Sequence, residues 1–290
     1  YIDTSTTRAL MRTLQKRGCY SVHVGGGEPF LKPDGLKTVL ATFQSEGMGL
    51  DYVETNASWY TDHTSAVALL SELRREGLST ILVSISPFHN EHITNKKTRG
   101  VIHAAREARV AVFPWISQFI PHLERFDPTK THSLEEYEEV FGGGYIRDIP
   151  SRYWIHYNGR ALQTYAPYME YYNLDTLMQQ NQGGCRELLD TSHFHVDLYG
   201  NYVPGLCTGL ALDHEQLGQP VEERKYPFLY TLITDGIEAL LQLAREQHGF
   251  TPASTYVSKC ELCYTIRRFL VIDQQIKSPD LAPQQFYLQT

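Results

Sequence analysis

The glycine turn of this chain lies in the stretch Val22-His23-Val24-Gly25-Gly26-Gly27-Glu28-Pro29-Phe30, directly after a short β-like run. Consecutive glycines at the end of a strand let the backbone approach a ligand closely, and Glu28 supplies one acceptor there. Three glycines alone favour an ordinary strand-to-helix turn. Helical and strand-like periodicities alternate around this stretch, which indicates an α/β fold with a parallel sheet wrapped by helices.

The alternation predicts four helices and four strands between residues 4 and 113. The helices are predicted at 4–17, 34–46, 64–76 and 97–108. The strands are predicted at 20–24, 52–54, 80–85 and 110–113, with Tyr153–Tyr157 as one more strand of the same sheet. Because the array opens on a helix, we expect a first strand upstream of Tyr1.

Composition excludes several classes of function. The 290 residues carry a net charge of −7, which argues against a broad nucleic-acid-binding surface. No segment approaches the run of about 20 apolar residues that a membrane helix needs. The chain shows no signal-like apolar segment, so we expect a cytoplasmic protein without a membrane partner.

The string Gly-Gly-Glu-Pro at residues 26–29, after a strand and before an αβ unit, resembles the S-adenosylmethionine-binding motif of radical SAM enzymes. The resemblance implies a partial (β/α)6 TIM-like barrel. It also implies a C-x-x-x-C-x-x-C loop that binds the activating [4Fe-4S] cluster. No such triplet occurs in the 290 residues, so we expect it upstream of Tyr1, next to the missing strand.

Ligands of parallel α/β sheets bind at the carboxyl ends of the strands, where polar side chains follow several predicted strands here. The resemblance assigns S-adenosylmethionine contacts to the glycine turn, to the end of the second strand, to a serine ending the next one and to a downstream arginine. The predicted cofactor-binding residues are Gly25, Gly26, Gly27, Glu28, Pro29, Thr55, Asn56, Ser84 and Arg99. For Arg99, a solvated charge on a helix surface is the alternative.

The five cysteines are the second chemical feature, and four of them lie beyond residue 184. Cys260 and Cys263 form a C-x-x-C pair beside a predicted helix at 262–271. Cys185 and Cys207 flank a predicted hairpin whose first strand starts at His193. Two thiolates from a hairpin and two from a C-x-x-C can bind one Zn²⁺ or one [4Fe-4S] cluster.

The order of these cysteines resembles the twitch or SPASM extension of radical SAM enzymes, in a form with one auxiliary [4Fe-4S] cluster. Zn²⁺ stays open as the alternative, since spacing does not separate the two. Cys19 is interpreted as a buried core residue. The pairs His193/His195 and His89/His92 are interpreted as ordinary hydrogen-bonded histidines, because four cysteines already complete the expected ligand set.

These resemblances imply two domains, a partial barrel over 1–165 and a small cysteine-rich α+β domain over 166–290. They imply a radical SAM enzyme that cleaves S-adenosylmethionine to a 5′-deoxyadenosyl radical and abstracts hydrogen from a substrate, with a peptide or protein ranked first. Flavodoxin or ferredoxin would be the electron donor. The alternative is a non-catalytic barrel scaffold or binding protein with a structural Zn²⁺ or iron-sulfur site.

Overall fold

The computed structural model describes residues 1–153, 155–157 and 159–288, and the chain divides into two compact units, Tyr1–Ile149 and Pro150–Thr290. The sequence places this boundary later, at 165/166. None of the described helices combines the length and the apolar character that crossing a membrane requires.

The first unit is α/β and contains four parallel strands. Its strands are β1 Ser21–Val24, β2 Gly49–Thr55, β3 Thr80–Ser84 and β4 Ala111–Trp115. Its helices are α1 Thr4–Lys16, α2 Pro33–Ser45, α3 His63–Arg75, α4 Pro87–Asn90, α5 Asn95–Glu107, α6 Ile120–Leu123 and α7 Leu134–Phe141. These bounds confirm the four helices and four strands that periodicity predicts up to residue 113.

The sheet order β1-β2-β3-β4 follows the order of the chain, and every neighbouring pair is parallel. Right-handed crossovers therefore place α2, α3 and α5 on one face of the sheet. Val53, Ile81 and Val83 are fully buried on that face. On the opposite face Tyr52 packs edge-on against Phe113. All four strands end at one edge, which carries the glycine turn.

The second unit consists of short helices and two small antiparallel sheets. Its helices are α8 Gly159–Tyr165, α9 Leu174–Gln180, α10 Pro227–Thr234, α11 Ile237–His248, α12 Lys259–Arg268 and α13 Gln284–Leu288, with a π-helical turn Phe269–Asp273 after α12. Its strands are β5 Tyr172–Asn173, β6 His195–Val196, β7 Asn201–Val203, β8 Leu212–Asp213 and β9 Thr255–Tyr256.

Two expectations about secondary structure are wrong. The predicted strand Tyr153–Tyr157 does not form at its described positions, and Trp154 lies outside the described residues. The helix predicted at 262–271 begins earlier, at Lys259, because the hydroxyl of Ser258 caps it by accepting from the N–H of Glu261 at 3.2 Å. The C-x-x-C pair therefore lies within the first turns of α12.

Candidate functional site

Cys185, Cys207, Cys260 and Cys263 all line one cavity of about 510 Å³ within the second unit. All four are free thiols. Cys260 is exposed and the other three are half-buried. Far-apart segments of the chain thus bring four sulfur-bearing side chains to one space, as the sequence expects.

Two 3₁₀ turns position the first pair of cysteines. Cys185 precedes the turn Arg186–Leu189, and Cys207 follows the turn Pro204–Leu206 after β7. Gly205 has φ +57°, and a Cβ there would lie 2.5 Å from the carbonyl oxygen of Glu187. The two turns approach this closely because Gly205 has no side chain.

The predicted hairpin between these cysteines is confirmed. Strands β6 and β7 pair antiparallel, and a third strand, β8, adds to the sheet. The carboxylate of Asp197 accepts from the N–H groups of Tyr199 and Asn201, both at 2.9 Å, which closes the turn. Cys207 follows directly from this rigid element, so its position depends on the hairpin.

Helix α12 positions the second pair. Cys260, Cys263 and Arg267 are spaced by three and four residues, so they share one face of the helix. The capping Ser258 and the carboxylate of Glu261, which accepts from the N–H of Val257 at 2.7 Å, hold the start of the helix. Both cysteines of the C-x-x-C pair therefore face the cavity from consecutive turns.

Burial disfavours the ionised form of three thiols of this cluster, Cys185, Cys207 and Cys260. Burial raises the pKa of Cys185 and of Cys207 to about 12, and it also raises the pKa of Cys260. Negative charge on Cys263 and Cys260 adds to the pKa rise of Cys207, as expected for neighbouring sulfurs. A metal ion or cluster would have to displace these protons to bind four thiolates.

An ion pair joins the two halves of the cluster. Lys259 Nζ lies 2.7 Å from Glu187 Oε1, and the Cys185 thiol donates to Glu187 Oε2 at 3.2 Å. The Lys259 bond is the largest cause of a fall in the pKa of Glu187 to about 2. Glu187 thus ties α12 to the turn that carries Cys185, a contact that sequence analysis did not foresee.

Arg267 is the one buried cation among the described residues that line the cavity, and sequence analysis missed it. Its side chain is 3% exposed. Nη1 donates to the carbonyl oxygen of Thr208 at 3.1 Å and to the hydroxyl of Tyr287 at 2.9 Å. Nε is buried, and none of the described residues is its hydrogen-bond partner. The spacing of four residues after Cys263 places Arg267 on the same face of α12 as the two cysteines, but only the structure shows that it is buried.

The carboxylate of Glu28 links the glycine turn of the first unit to the end of β2 through hydrogen bonds. It accepts from the N–H of Asn56 at 2.7 Å, from the N–H of Phe30 at 3.1 Å and from the hydroxyl of Thr55 at 3.0 Å. Burial raises the pKa of Glu28. The Thr55 hydroxyl also lies 3.0 Å from the second carboxylate oxygen, so each oxygen of Glu28 has two contacts and the roughly four lone-pair positions of the carboxylate are all engaged.

The loop after β2 is built around the hydroxyl of Thr55. This hydroxyl accepts from Trp59 Nε1 at 2.9 Å and from the N–H of Ala57 at 3.0 Å. Lys97, which sequence analysis did not single out, donates to the carbonyl oxygen of Ser58 at 2.8 Å. Thr55 and Asn56 therefore lie beside Glu28 in a rigid network, as strand order predicts.

The backbone of the glycine turn itself faces solvent. Gly25, Gly26 and Gly27 are exposed, whereas Pro29 is buried and its carbonyl accepts from the hydroxyl of Tyr1. A Cβ on Gly25 would lie 2.8 Å from Glu54 Oε2, so the absent side chain admits this carboxylate. The exposed N–H and C=O groups of the turn are available to a ligand.

Ser84 and Arg99, the other two predicted cofactor contacts, are not part of the hydrogen-bond network described for Glu28. Ser84 is half-buried at the end of β3, where it pairs in register with Trp115. Arg99 is exposed on α5, and its Nη1 lies 3.9 Å from Glu124 Oε1. Ser84 is thus at the predicted edge, and Arg99 forms a surface ion pair.

The interpretation of Cys19 as a core residue is wrong. Cys19 is half-buried after α1, and its thiol donates to the carbonyl oxygen of Ser21 at 3.3 Å. It lies in the turn between α1 and the edge strand β1, with exposed residues on both sides. Cys19 belongs to the first unit, so the four-cysteine cluster contains only residues of the second.

The structure describes both of the histidine pairs that the sequence singles out. His89 Nδ1 lies 2.7 Å from the hydroxyl of Ser86, which also caps α4 by accepting from the N–H of His89. His193 and His195 are exposed with ring centroids 5.2 Å apart.

Chemically, the second unit offers four soft sulfur ligands and a buried cation, the donor set of a Zn²⁺ or iron-sulfur centre. The first unit offers an exposed glycine backbone and a carboxylate at the ligand-binding edge of a parallel sheet. No model of a known protein family matches the chain, and no curated protein matches it.

Proposed function

We propose that this chain is a radical SAM-type enzyme whose second unit binds an auxiliary [4Fe-4S] cluster through Cys185, Cys207, Cys260 and Cys263. One observation carries the proposal: these four cysteines line a single cavity although they come from three separate segments of the chain. Buried cysteines that serve only as apolar side chains have no reason to gather at one partly open cavity.

The residues fit the group. Four thiolates complete the ligand set of a cubic iron-sulfur cluster. Such a centre is anionic, and the cavity supplies Lys259 beside Cys185 and the buried Arg267 beside Cys207. The orphaned Nε of Arg267 is a donor for which the described residues provide no acceptor. A sulfur of a bound centre would be that acceptor.

The glycine edge of the first unit supports the S-adenosylmethionine site. The proposed cofactor contacts are the exposed backbone of Gly25–Gly27, the carboxylate of Glu28 and the polar groups of Thr55, Asn56 and Ser84. An ammonium group is the ligand that a pre-positioned carboxylate and carbonyl groups recognise. Arg99 has the weakest support, because it pairs with Glu124 on the surface.

The proposal includes the finer fold, a partial TIM-like barrel. Its support is the strand order, which follows the chain, and the placement of the crossover helices on one face only. In barrels of this kind the carboxyl ends of the strands hold the active site. The edge that carries Glu28, Thr55 and Ser84 has that position in the sheet.

When bound, the clusters and S-adenosylmethionine supply the radical chemistry that abstracts hydrogen from a substrate. The chain's own residues bind the cofactors and orient the substrate. Glu28 holds the glycine turn in place through its bonds to Asn56 and Phe30. We propose a peptide or protein as the substrate and a small flavodoxin or ferredoxin as the electron donor, both from the resemblance alone.

The second candidate function is a non-catalytic scaffold or binding protein with a structural Zn²⁺. It is favoured by one observation: the 290 residues contain no C-x-x-x-C-x-x-C triplet. Tetrahedral Zn²⁺ takes four cysteine thiolates equally well. The two candidates differ in the metal and in whether S-adenosylmethionine binds.

Metal analysis tests the cluster. The 290-residue chain is reconstituted anaerobically with iron and sulfide, beside the four single Cys→Ser variants of the proposed ligands. We expect about four irons and four sulfides per chain, lost in each ligand variant and retained in the matched control Cys19→Ser. One zinc per chain with no iron would favour the scaffold. Metal content that is equal in all six proteins would overturn the site.

Equilibrium dialysis against labelled S-adenosylmethionine tests the glycine edge. We expect Glu28→Ala and Ser84→Ala to lower the affinity at least tenfold, because each removes a contact at the ligand-binding edge. The control Glu107→Ala changes an exposed acid on α5 and leaves the affinity unchanged. Equal affinity in all variants would exclude this edge as the cofactor site.

A further inference from the structure

Arg267 is buried at the four-cysteine cavity with one donor unused. The residue is 3% exposed, and its Nη1 is bonded to Thr208 and Tyr287. The Tyr287 hydroxyl donates in turn to the carbonyl oxygen of Gly209, and the guanidinium also has the sulfur of Cys263 as a side-chain neighbour. Nε is buried and has no hydrogen-bond partner in the described part of the chain.

A buried orphan donor on a charged group is costly. An unsatisfied buried polar group destabilises a fold by about 1–3 kcal/mol, and more when it is charged. A guanidinium stays protonated in proteins, so Arg267 cannot become neutral to relieve this cost. This unsatisfied donor lies at a cavity wall. The sulfur-bearing side chains of Cys207 and Cys263 line the same wall.

We propose that Arg267 is a positioning residue of the metal centre: its Nε donates to a sulfur of that centre, and its fixed charge stabilises the more negative, reduced state. The inference rests on the proposed function, because it requires a centre bound to these cysteines. Reduction adds one electron, taken from an electrode through a mediator, to a four-thiolate [4Fe-4S] centre of charge −2. The product has charge −3, and no bond or proton is transferred.

The predicted effect follows from charge. Hydrogen bonds to sulfur and the net charge around a cluster set its reduction potential. Removing a cation beside the centre disfavours the added electron, so the potential of Arg267→Met falls. We expect the ratio of reduced to oxidised centre at fixed potential to fall at least tenfold, which corresponds to a shift of about 59 mV for one electron.

The experiment is spectroelectrochemical titration of the reconstituted chain, with Arg268→Met as the matched control. Arg268 is the next residue of α12 and is exposed, so its substitution removes the same charge from the surface. Arg267→Lys keeps the charge but loses Nε, and we expect a smaller downward shift than in Arg267→Met. Iron and sulfide content and circular dichroism confirm that each variant is loaded and folded.

The outcomes separate the two claims. If the parent chain holds no cluster, the proposed function fails, and this inference falls with it. If the parent holds a cluster and both Arg267 variants have the parent's potential, Arg267 is purely structural and only this inference is overturned. If Arg267→Met does not fold, Arg267→Lys decides: a potential equal to that of Arg268→Met overturns the proposal, and a lower one supports it.

Discussion

Lys259 Nζ and Glu187 Oε1 lie 2.7 Å apart, and this pair joins the helix of Cys260 to the turn of Cys185. The pair lowers the pKa of Glu187 from 4.5 to about 2. Its stabilisation is therefore present above pH 4.5 and lost as the pH falls toward 2. Because 59% of the Glu187 side chain is exposed, screening keeps the effect below about 1 kcal/mol.

We expect Glu187→Gln to destabilise the metal-free chain slightly at pH 7 and to have no effect near pH 2. Urea unfolding of both proteins across this range measures the difference. Glu215→Gln, an exposed acid in the same unit, serves as the control and stays level with the parent. A difference that persists undiminished at low pH would show that the ion pair is not its source.

Gly205→Ala tests how closely the two cysteine-bearing turns must approach. The new Cβ would lie 2.5 Å from the carbonyl oxygen of Glu187, and φ is +57°. The matched control is Gly249→Ala, at φ +71° with no atom within 4 Å of the new Cβ. The left-handed conformation costs roughly 1–2 kcal/mol in both variants. We expect a larger loss of unfolding free energy in Gly205→Ala, together with reduced metal retention; equal losses would contradict the clash.

Thr55→Val probes the network that holds Glu28. The substitution keeps the shape but removes one donor to Glu28 and one acceptor for both Trp59 and Ala57. We expect a loss of about 1–3 kcal/mol in urea unfolding, since buried groups are left without partners. Thr38→Val, whose exposed hydroxyl bonds only to the carbonyl oxygen of Asp34, should cost less. Similar losses of unfolding free energy in the two variants would show that the network around Glu28 does not contribute to stability.

Asp280 makes stability depend on pH in the opposite sense. It is fully buried, and burial raises its pKa, while the N–H of Leu229 donates to it at 2.9 Å. A raised carboxyl pKa means that the folded state binds the proton more tightly. Its contribution to stability is therefore greatest below the ordinary pKa of about 4 and falls as the pH rises through the raised value.

We expect Asp280→Asn to flatten this decline between pH 4 and pH 7, because the amide does not ionise. The measurement is urea unfolding at several pH values. Asp273→Asn, at an exposed acid of the π-helical turn, retains the slope of the parent. A parent slope in Asp280→Asn would mean that another group causes the decline.

The spacing of apolar residues predicted most helices and strands of the first unit, because each of these elements has its own hydrophobic periodicity. The strand Thr80–Ser84 stands out through its buried core of Ile81, Leu82 and Val83. Strand β2 begins earlier than predicted, at Gly49, since glycine and aspartate are poor β formers and only pairing with β1 extends it there. The predicted strand at 153–157 failed because its aromatic residues satisfy a β pattern without any neighbouring strand.

The candidate sites were predictable only as far as their residue types carry the chemistry. Cysteine spacing identified the cavity, and the glycine string identified the edge of the sheet. Arg267 and Lys259 were not identified, because their roles come from contacts with Thr208 and Glu187, which are remote in sequence. The sequence alone does not distinguish the charged residues of a helix that are buried from those that are exposed. The packing in the structure does.

Under the proposed function, Cys185, Cys207 and Cys263 at one cavity would cross-link the second unit through the centre that they bind. A centre bound to all of them closes loops that span most of this unit and so removes chain entropy from its unfolded state. The loaded unit would then lose its metal and its tertiary structure in one cooperative event. During synthesis such a cross-link would close only after Cys263 has emerged, so the centre would bind after the hairpin has been translated.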